Sequence, residues 1–182
     1  MNKNNKKILP ELRFPEFEKE GEWSKTTLGE VAEIITGSTP STKQKENFGG
    51  NKLFVSPADI GEFRYIDYTK TVLSDIGFSK TRRIKPNSVL FVCIGSTIGK
   101  VAQNILECAT NQQINAVVAN QENSSDFLYS LLEYSSSQIA SMAGNHAVPI
   151  INKTLFSSAQ IIFPPTLTEQ QKIASCLSSL DK

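Results

Sequence analysis

An α+β fold is predicted by three features of the sequence. Short apolar runs rich in β-branched residues recur along the chain. A long amphipathic segment lies at 124–143, and a second helical pattern runs from 166 to the last residue. Short apolar runs bounded by turn residues read as strands, and apolar positions spaced three and four apart read as helices. At 182 residues the chain suits one domain with a sizeable core.

Residues 1–22 are polar and charged, and Pro10 and Pro15 exclude a long helix there. This segment reads as an extended arm that pins Leu12, Phe14 and Phe17 onto the body. Trp23 opens the folded domain, expected over 23–165. Thr26 or Thr27 can cap a short turn through Leu28, Glu30 and Val31, because Glu30 stands three residues after Thr27 as a capping box requires. Ala32 to Thr36 reads as a strand closed by Gly37. Ser38-Thr39-Pro40-Ser41-Thr42 is a hydroxyl-rich loop, and Gly49-Gly50 signals a turn.

Leu53 to Ser56 is a short strand ended by Pro57. Val89 to Ile94 is the strongest strand, a continuous apolar run too short for a helix. Gly95-Ser96-Thr97 turns it toward a hairpin partner at Lys100 to Asn104, and Ile114 to Ala119 reads as another buried strand. Ser124 or Ser125 caps a helix running to about Ala143, with Phe127, Leu128, Leu131, Leu132, Ile139 and Met142 largely on one face. Asn152 caps a short turn at Lys153 to Ser157. Gln160 to Phe163 is a last strand, stopped by Pro164-Pro165. The segment 166–182 begins a new helix, with Thr168 and Gln171 in capping-box spacing. Its Ile173, Leu177 and Leu180 suit a coiled-coil seam or a docked face. The chain ends there without a Gly, Pro or polar tail, as expected of a sequence cut inside a longer helix.

The hydrophobic fraction of 39% and charged fraction of 20% are those of an ordinary globular protein. No apolar run approaches the roughly 20 residues of a membrane helix, and MNKNNKKILP lacks the apolar stretch of a secretory signal. Cys93, Cys108 and Cys176 are scattered and form no CxxC pair, which points to a reducing, cytoplasmic setting with the three thiols packed as small hydrophobes. The net charge of +1 is unevenly spread. Residues 43–100 hold ten basic residues against five acids, and the remainder holds nine against thirteen. Such segregation gives one face a positive field suited to phosphates.

The sequence offers little for catalysis. His146 stands alone, with no nucleophile or acid fixed near it, and no His/Cys/Asp cluster has metal-ligand spacing. Gly95-Ser96-Thr97-Ile98-Gly99-Lys100 falls one residue short of a phosphate loop, and Val101 replaces its hydroxyl residue. Phe163-Pro164-Pro165-Thr166 resembles the Pro-Pro motif of amino-methylating DNA methyltransferases. It lacks the leading Asp or Asn and the trailing aromatic residue. Neither a methyl-donor loop nor a nuclease acid-Lys triad is present, so no metal or cofactor is expected.

Several segments, in order, resemble the DNA specificity subunits of type I restriction-modification systems. They are Trp23 with Leu28-Gly29-Glu30-Val31, Ile35 to Ser41, Lys85 to Val92, Ile94 to Lys100, Thr110 to Ala116, Ile151-Asn152-Lys153, and Pro164-Pro165 followed by Glu169 to Ala174. The resemblance covers Trp23 to Lys182. It implies a target recognition domain with a curved mixed β-sheet and short flanking helices, followed at 166–182 by the start of a long coiled-coil spacer helix. It further implies that the domain reads one half of a bipartite double-stranded DNA target. Partner modification (methyltransferase) subunits would methylate adenine with S-adenosylmethionine, and restriction subunits would use ATP. The spacer helix would pair with that of a second recognition domain or, for a natural half-subunit, a homodimer partner, through Ile173, Leu177 and Leu180. A competing reading is a protein-interaction module on the same fold, which lacks the steep salt dependence of duplex binding.

On this resemblance, phosphate contacts are expected from Lys43, Lys45, Lys52, Lys80, Arg82, Arg83 and Lys100, with Ser38, Thr39, Ser96 and Thr97 as hydroxyl or turn donors. Arg, Asn and Gln suit base edges, and Arg64, Asn47 and Asn145 are the loop candidates. Thr110-Asn111-Gln112-Gln113 is expected chiefly to lock adjoining strands.

Overall fold

A computed structural model describes residues 8–144 and 147–179. In chain order the elements begin with β1 (Ser24–Thr27), α1 (Leu28–Val31), β2 (Ala32–Thr36), β3 (Phe48–Val55), β4 (Tyr65–Ile66), β5 (Thr71–Leu73) and α2 (Asp75–Ser79). They continue with β6 (Val89–Val92), β7 (Val101–Asn104), β8 (Cys108–Thr110), β9 (Ile114–Ala119), α3 (Ser125–Tyr134) and α4 (Ser136–Ser141). Last come α5 (Lys153–Ser157), β10 (Gln160–Phe163) and α6 (Leu167–Ser178). The expected α+β class holds.

The central sheet has five strands in the order β2-β9-β6-β7-β4. It is mixed: β2, β9, β6 and β7 run antiparallel to their neighbours, while β4 joins β7 in parallel. A three-stranded sheet, β5-β3-β8, lies beside it, with β3 and β8 parallel. Strand β1 pairs with β10 in a separate two-stranded sheet.

Strand β6 shows why its sequence is an unbroken apolar run. Successive side chains of a strand point to opposite faces. Val89 and Phe91 enter one core, with Leu28, Phe127, Leu132 and Phe156, whereas Leu90 and Val92 enter another, with Val55, Ile60, Ile84 and Ala102. Both faces are covered, so no polar position is tolerated. Phe91 is fully buried and meets Phe156 with ring centroids 4.9 Å apart. Burying a side chain of this kind contributes about 1.5–3 kcal/mol.

Local signals set several boundaries. The Thr27 amide donates to the Glu30 carboxylate over 2.9 Å, as the capping box predicts. Asn152 accepts from the Leu155 amide at the start of α5. Gly37 lies so close to the Thr110-Asn111 backbone that a Cβ there would collide with the Asn111 carbonyl oxygen and Thr110 Oγ1.

Five expectations need correction. Gly49-Gly50, read as a turn before a strand at Leu53, lies inside β3, which is irregular in register between Phe48 and Lys52. The helix read over 124–143 is two helices, broken at Ser135, whose backbone (φ −89°, ψ 2°) leaves the α region. Thr166, not Thr168, caps α6 by accepting from the Glu169 amide. Phe17 is buried in the arm, but Leu12 is exposed. Cys93 and Cys108 are buried as expected, while Cys176 is exposed on α6.

Helix α6 does not simply leave the domain. Glu169, Gln170 and Ala174 are buried at its start, and Ser175 to Ser179 are exposed. Its first turns dock against the arm and α3.

Candidate nucleic-acid interface

The loop after β2 carries five of the expected contact residues, Ser38, Thr39, Lys43, Lys45 and Asn47. The Ser38 amide donates to the Thr110 carbonyl (2.9 Å), and Ser38 Oγ accepts from the Arg82 amide (2.9 Å). Arg82 Nη1 donates to the Thr36 carbonyl at 2.7 Å, so its guanidinium is fixed at the edge of β2 while remaining exposed. Thr39 Oγ1 donates to Gln112 Oε1 (2.7 Å). Lys80 Nζ donates to Gln44 Oε1 (3.1 Å) and Asn47 Oδ1 (2.9 Å), tying α2 to the same loop. These acceptors are neutral amides and carbonyls, so the cationic charge is not cancelled.

The structure thus brings Ser38, Thr39, Lys80 and Arg82 together, with Lys43 and Lys45 exposed on the same loop and Arg83 next in sequence. Arg83 lies over the Phe78 ring, 5.3 Å from its centroid. Arg82, Arg83 and Lys153 line an open depression of about 710 Å³ with Glu33 and Thr36. Lys153 belongs to the Ile151-Asn152-Lys153 motif yet was not among the expected contacts. Its position follows from α5, which packs against α1 and β2.

Thr110 to Gln113 does the locking expected of it. Gln112 holds Thr39, and the Cys93 amide donates to the Gln113 carbonyl (2.7 Å). Asn111 Oδ1 accepts from the Gln113 amide (3.1 Å). The segment thereby joins the Ser38 loop to the β6–β7 turn, where Ser96 is exposed and Thr97 half-buried. Lys100 ties that turn to the segment after β3, with Nζ donating to the Ile60 carbonyl (2.8 Å). Burial pushes the Cys93 and Cys108 thiols up to about 12, so neither is a nucleophile.

Other expected residues are placed differently. Asn47 is fully buried, with Nδ2 donating to the Ser41 carbonyl (2.9 Å), so it shapes the loop and has no free edge for a base. Arg64 lies on the far side of the central sheet, beside β4. Its guanidinium donates to Gln103 Oε1 (2.9 and 2.7 Å), Asp126 Oδ1 (2.5 Å) and Ser178 Oγ (2.7 Å). It also stacks over Tyr65 and Tyr129, 4.8 and 4.4 Å from their centroids. A guanidinium so engaged is not available for base readout. Lys52 faces Asp75 across 3.4 Å, which offsets its charge. Asn145 and Leu180 lie outside the described residues, as does His146. Ile173 and Leu177 line an apolar groove with Leu12, Phe14 and Trp23.

Among the described residues no cluster of His, Cys, Asp or Glu could hold a metal ion, and no helix is long and apolar enough to cross a membrane.

Comparison with known proteins decides the family. Residues 20–182 match the model of the type I restriction modification DNA specificity domain. The chain belongs to that family. It is 32% identical, over 149 residues, to the HindI specificity subunit of Haemophilus influenzae, covering 78% of this chain and 32% of the relative. It is 30% identical to the EcoR124I/EcoR124II specificity subunit of Escherichia coli, covering 90% of this chain and 42% of that protein. Its fold is similar to the crystal structure of the HsdS subunit from Thermoanaerobacter tengcongensis, with a TM-score of 0.68 at 21% identity, covering 95% of this chain and 39% of the other. The chain therefore spans about a third to two fifths of the length of the relatives it matches.

Proposed function

We propose that this type I specificity domain recognises one half of a bipartite double-stranded DNA sequence within a cytoplasmic restriction-modification complex. The family match over residues 20–182 is the observation that carries the reading. Methylation of adenine and restriction are the work of partner modification and restriction subunits, which bring S-adenosylmethionine and ATP. This chain contributes recognition and no chemistry.

The exposed ledge of Lys43, Lys45, Arg82, Arg83 and Lys153 supports phosphate contact, with Lys80 and Lys100 adding charge at its flanks. Ser38, Thr39, Ser96 and Thr97 supply short donors on neighbouring loops. Such contacts set register on the duplex, and base contacts then come from side chains held on the same loops. With Arg64 and Asn47 internally engaged, Arg82 and Arg83 become the preferred base readers, because both residues stay exposed while the Thr36 carbonyl holds one guanidinium and the Phe78 ring supports the other. Along α6, Ile173 and the exposed Leu177 form the beginning of a seam for a second helix.

A methylation map tests the reading. The gene is co-expressed with its modification subunit in a host lacking adenine methylation, and modified adenines are located by single-molecule sequencing. A split motif is expected, with one half altered by Arg82→Ala or Arg83→Ala. A soluble complex that leaves no methylated motif contradicts it.

A further inference from the structure

Helix α6 is fixed to the domain by two polar clamps. At its first turn the fully buried Glu169 receives both Arg13 Nε (2.7 Å to Oε1) and Arg13 Nη2 (2.7 Å to Oε2), a bidentate pair. Trp23 Nε1 donates to the same carboxylate at 2.9 Å, and Arg13 Nη1 donates to the Gly21 carbonyl at 2.6 Å. Hydrogen bonding to Glu169 holds the Arg13 guanidinium above its ordinary range. Next to it the buried Gln170 accepts from the Ser124 amide (2.8 Å) at the cap of α3 and donates to Asn123 Oδ1 (3.2 Å).

The second clamp is Arg64. Its Nη1 reaches Ser178 Oγ near the end of the described helix, while its other nitrogens are planted on Gln103 and Asp126 and its plane lies against Tyr65 and Tyr129. Residues 169 and 178 stand about 13 Å apart along a helix axis. One anchor lets a helix swing, whereas two at this separation define its direction. Apolar contact is non-directional and cannot do this alone. A buried ion pair adds little net stability over a well-packed apolar pair, yet its geometry is strict.

We propose that Arg13–Glu169 and Arg64–Ser178 are positioning pairs that fix the angle between α6 and the DNA-reading loops, and thereby the spacing at which the two halves of a target are accepted. This rests on the reading that the domain recognises half of a bipartite site and that α6 leads toward the other half. For every 40 Å of helix, a swing of about 5° moves the far end about 3.5 Å, the rise of one base pair.

The test uses the full specificity subunit assembled with its modification subunits, and methylation of duplexes carrying the native spacer or one base pair more or less. Two variants are compared with wild type: Arg64→Lys, and the paired apolar replacement Arg13→Met with Glu169→Leu. The paired replacement leaves no buried charge alone, so it folds, as a denaturation midpoint near that of wild type will verify. Both variants are expected to read the same half-site bases while losing at least tenfold in discrimination between native and altered spacers. Wild-type discrimination retained by the folded paired variant overturns the positioning role. Wild type that methylates no split site overturns the underlying reading, and this inference with it.

Discussion

The exposed arginines Arg82 and Arg83 and the engaged arginines Arg13 and Arg64 mark two regions of the molecule with opposite uses of the same side chain. Arg82 binds a backbone carbonyl and Arg83 rests on a ring, and both keep their charge in solvent. Arg13 and Arg64 are opposed by Glu169 and Asp126 and are closed in by tyrosine, tryptophan or the arm, with 7% and 9% of their side chains exposed. An anchored cation facing neutral groups projects a field outward, which attracts phosphates. A cation in contact with a carboxylate projects little field but holds two segments at a fixed angle. What opposes a charge, more than its presence, decides whether it binds or builds.

The largest effect expected from breaking this contrast is at Glu169. Glu169→Ala leaves the Arg13 guanidinium uncompensated in a closed site and is expected to cost about 3–5 kcal/mol. Urea denaturation measures it, and a loss under 1 kcal/mol would mean that the clamp is open to water.

Gly37→Ala tests the joint under the ledge, since its Cβ would press on the Thr110-Asn111 backbone. A cost of about 1–3 kcal/mol is expected, with weakened DNA binding as the Ser38 and Arg82 contacts shift.

The buried thiols sharpen the picture of the layer between the regions. Their folded-state range, about 12, lies above that of an unfolded cysteine. The unfolded chain therefore releases protons first, and stability present below about pH 8.5 falls as pH rises toward 12, by about 1.4 kcal/mol per pH unit for each thiol. Denaturation at pH 8, 9 and 10 reads the slope, and Cys108→Ala is expected to remove one thiol's share.

Arg83→Ala should be the mildest for stability, within about 0.5–1 kcal/mol, because only a ring contact is lost. The salt dependence of duplex binding should nonetheless fall by about one phosphate contact. Unchanged dependence together with an unaltered methylated half-site would remove Arg83 from the interface.

The sequence disclosed those parts of the fold whose causes are local. The Thr27–Glu30 box, the Asn152 cap and the Pro164-Pro165 stop after Gln160 to Phe163 placed α1, α5 and β10 at their observed bounds. Strands β1, β4, β5 and β8 escaped because each is only two to four residues long and gains its identity from a remote partner, as β8 does from β3. The site divides in the same way. The cationic stretch around Lys43 to Arg83 was visible as composition. Arg64 suited base readout by residue type, but its partners Gln103, Asp126 and Ser178 lie 39, 62 and 114 positions away, and only the fold brings them to it. Asn47 was misread for a related reason: Lys80 and Gln44 close over it, and neither contact has a signature in sequence.

Paired charge reversals would test most directly whether recognition belongs to the loop region and positioning to α6. Duplex affinity is measured for the assembled complex carrying Lys43→Glu with Lys45→Glu on the loop, and separately Lys172→Glu on α6. The loop pair is predicted to weaken binding at least tenfold and to flatten its salt dependence by about two phosphate contacts, with Lys172→Glu leaving both unchanged. Equal losses from the two variants, or none from the loop pair, would contradict the assignment of DNA recognition to this ledge.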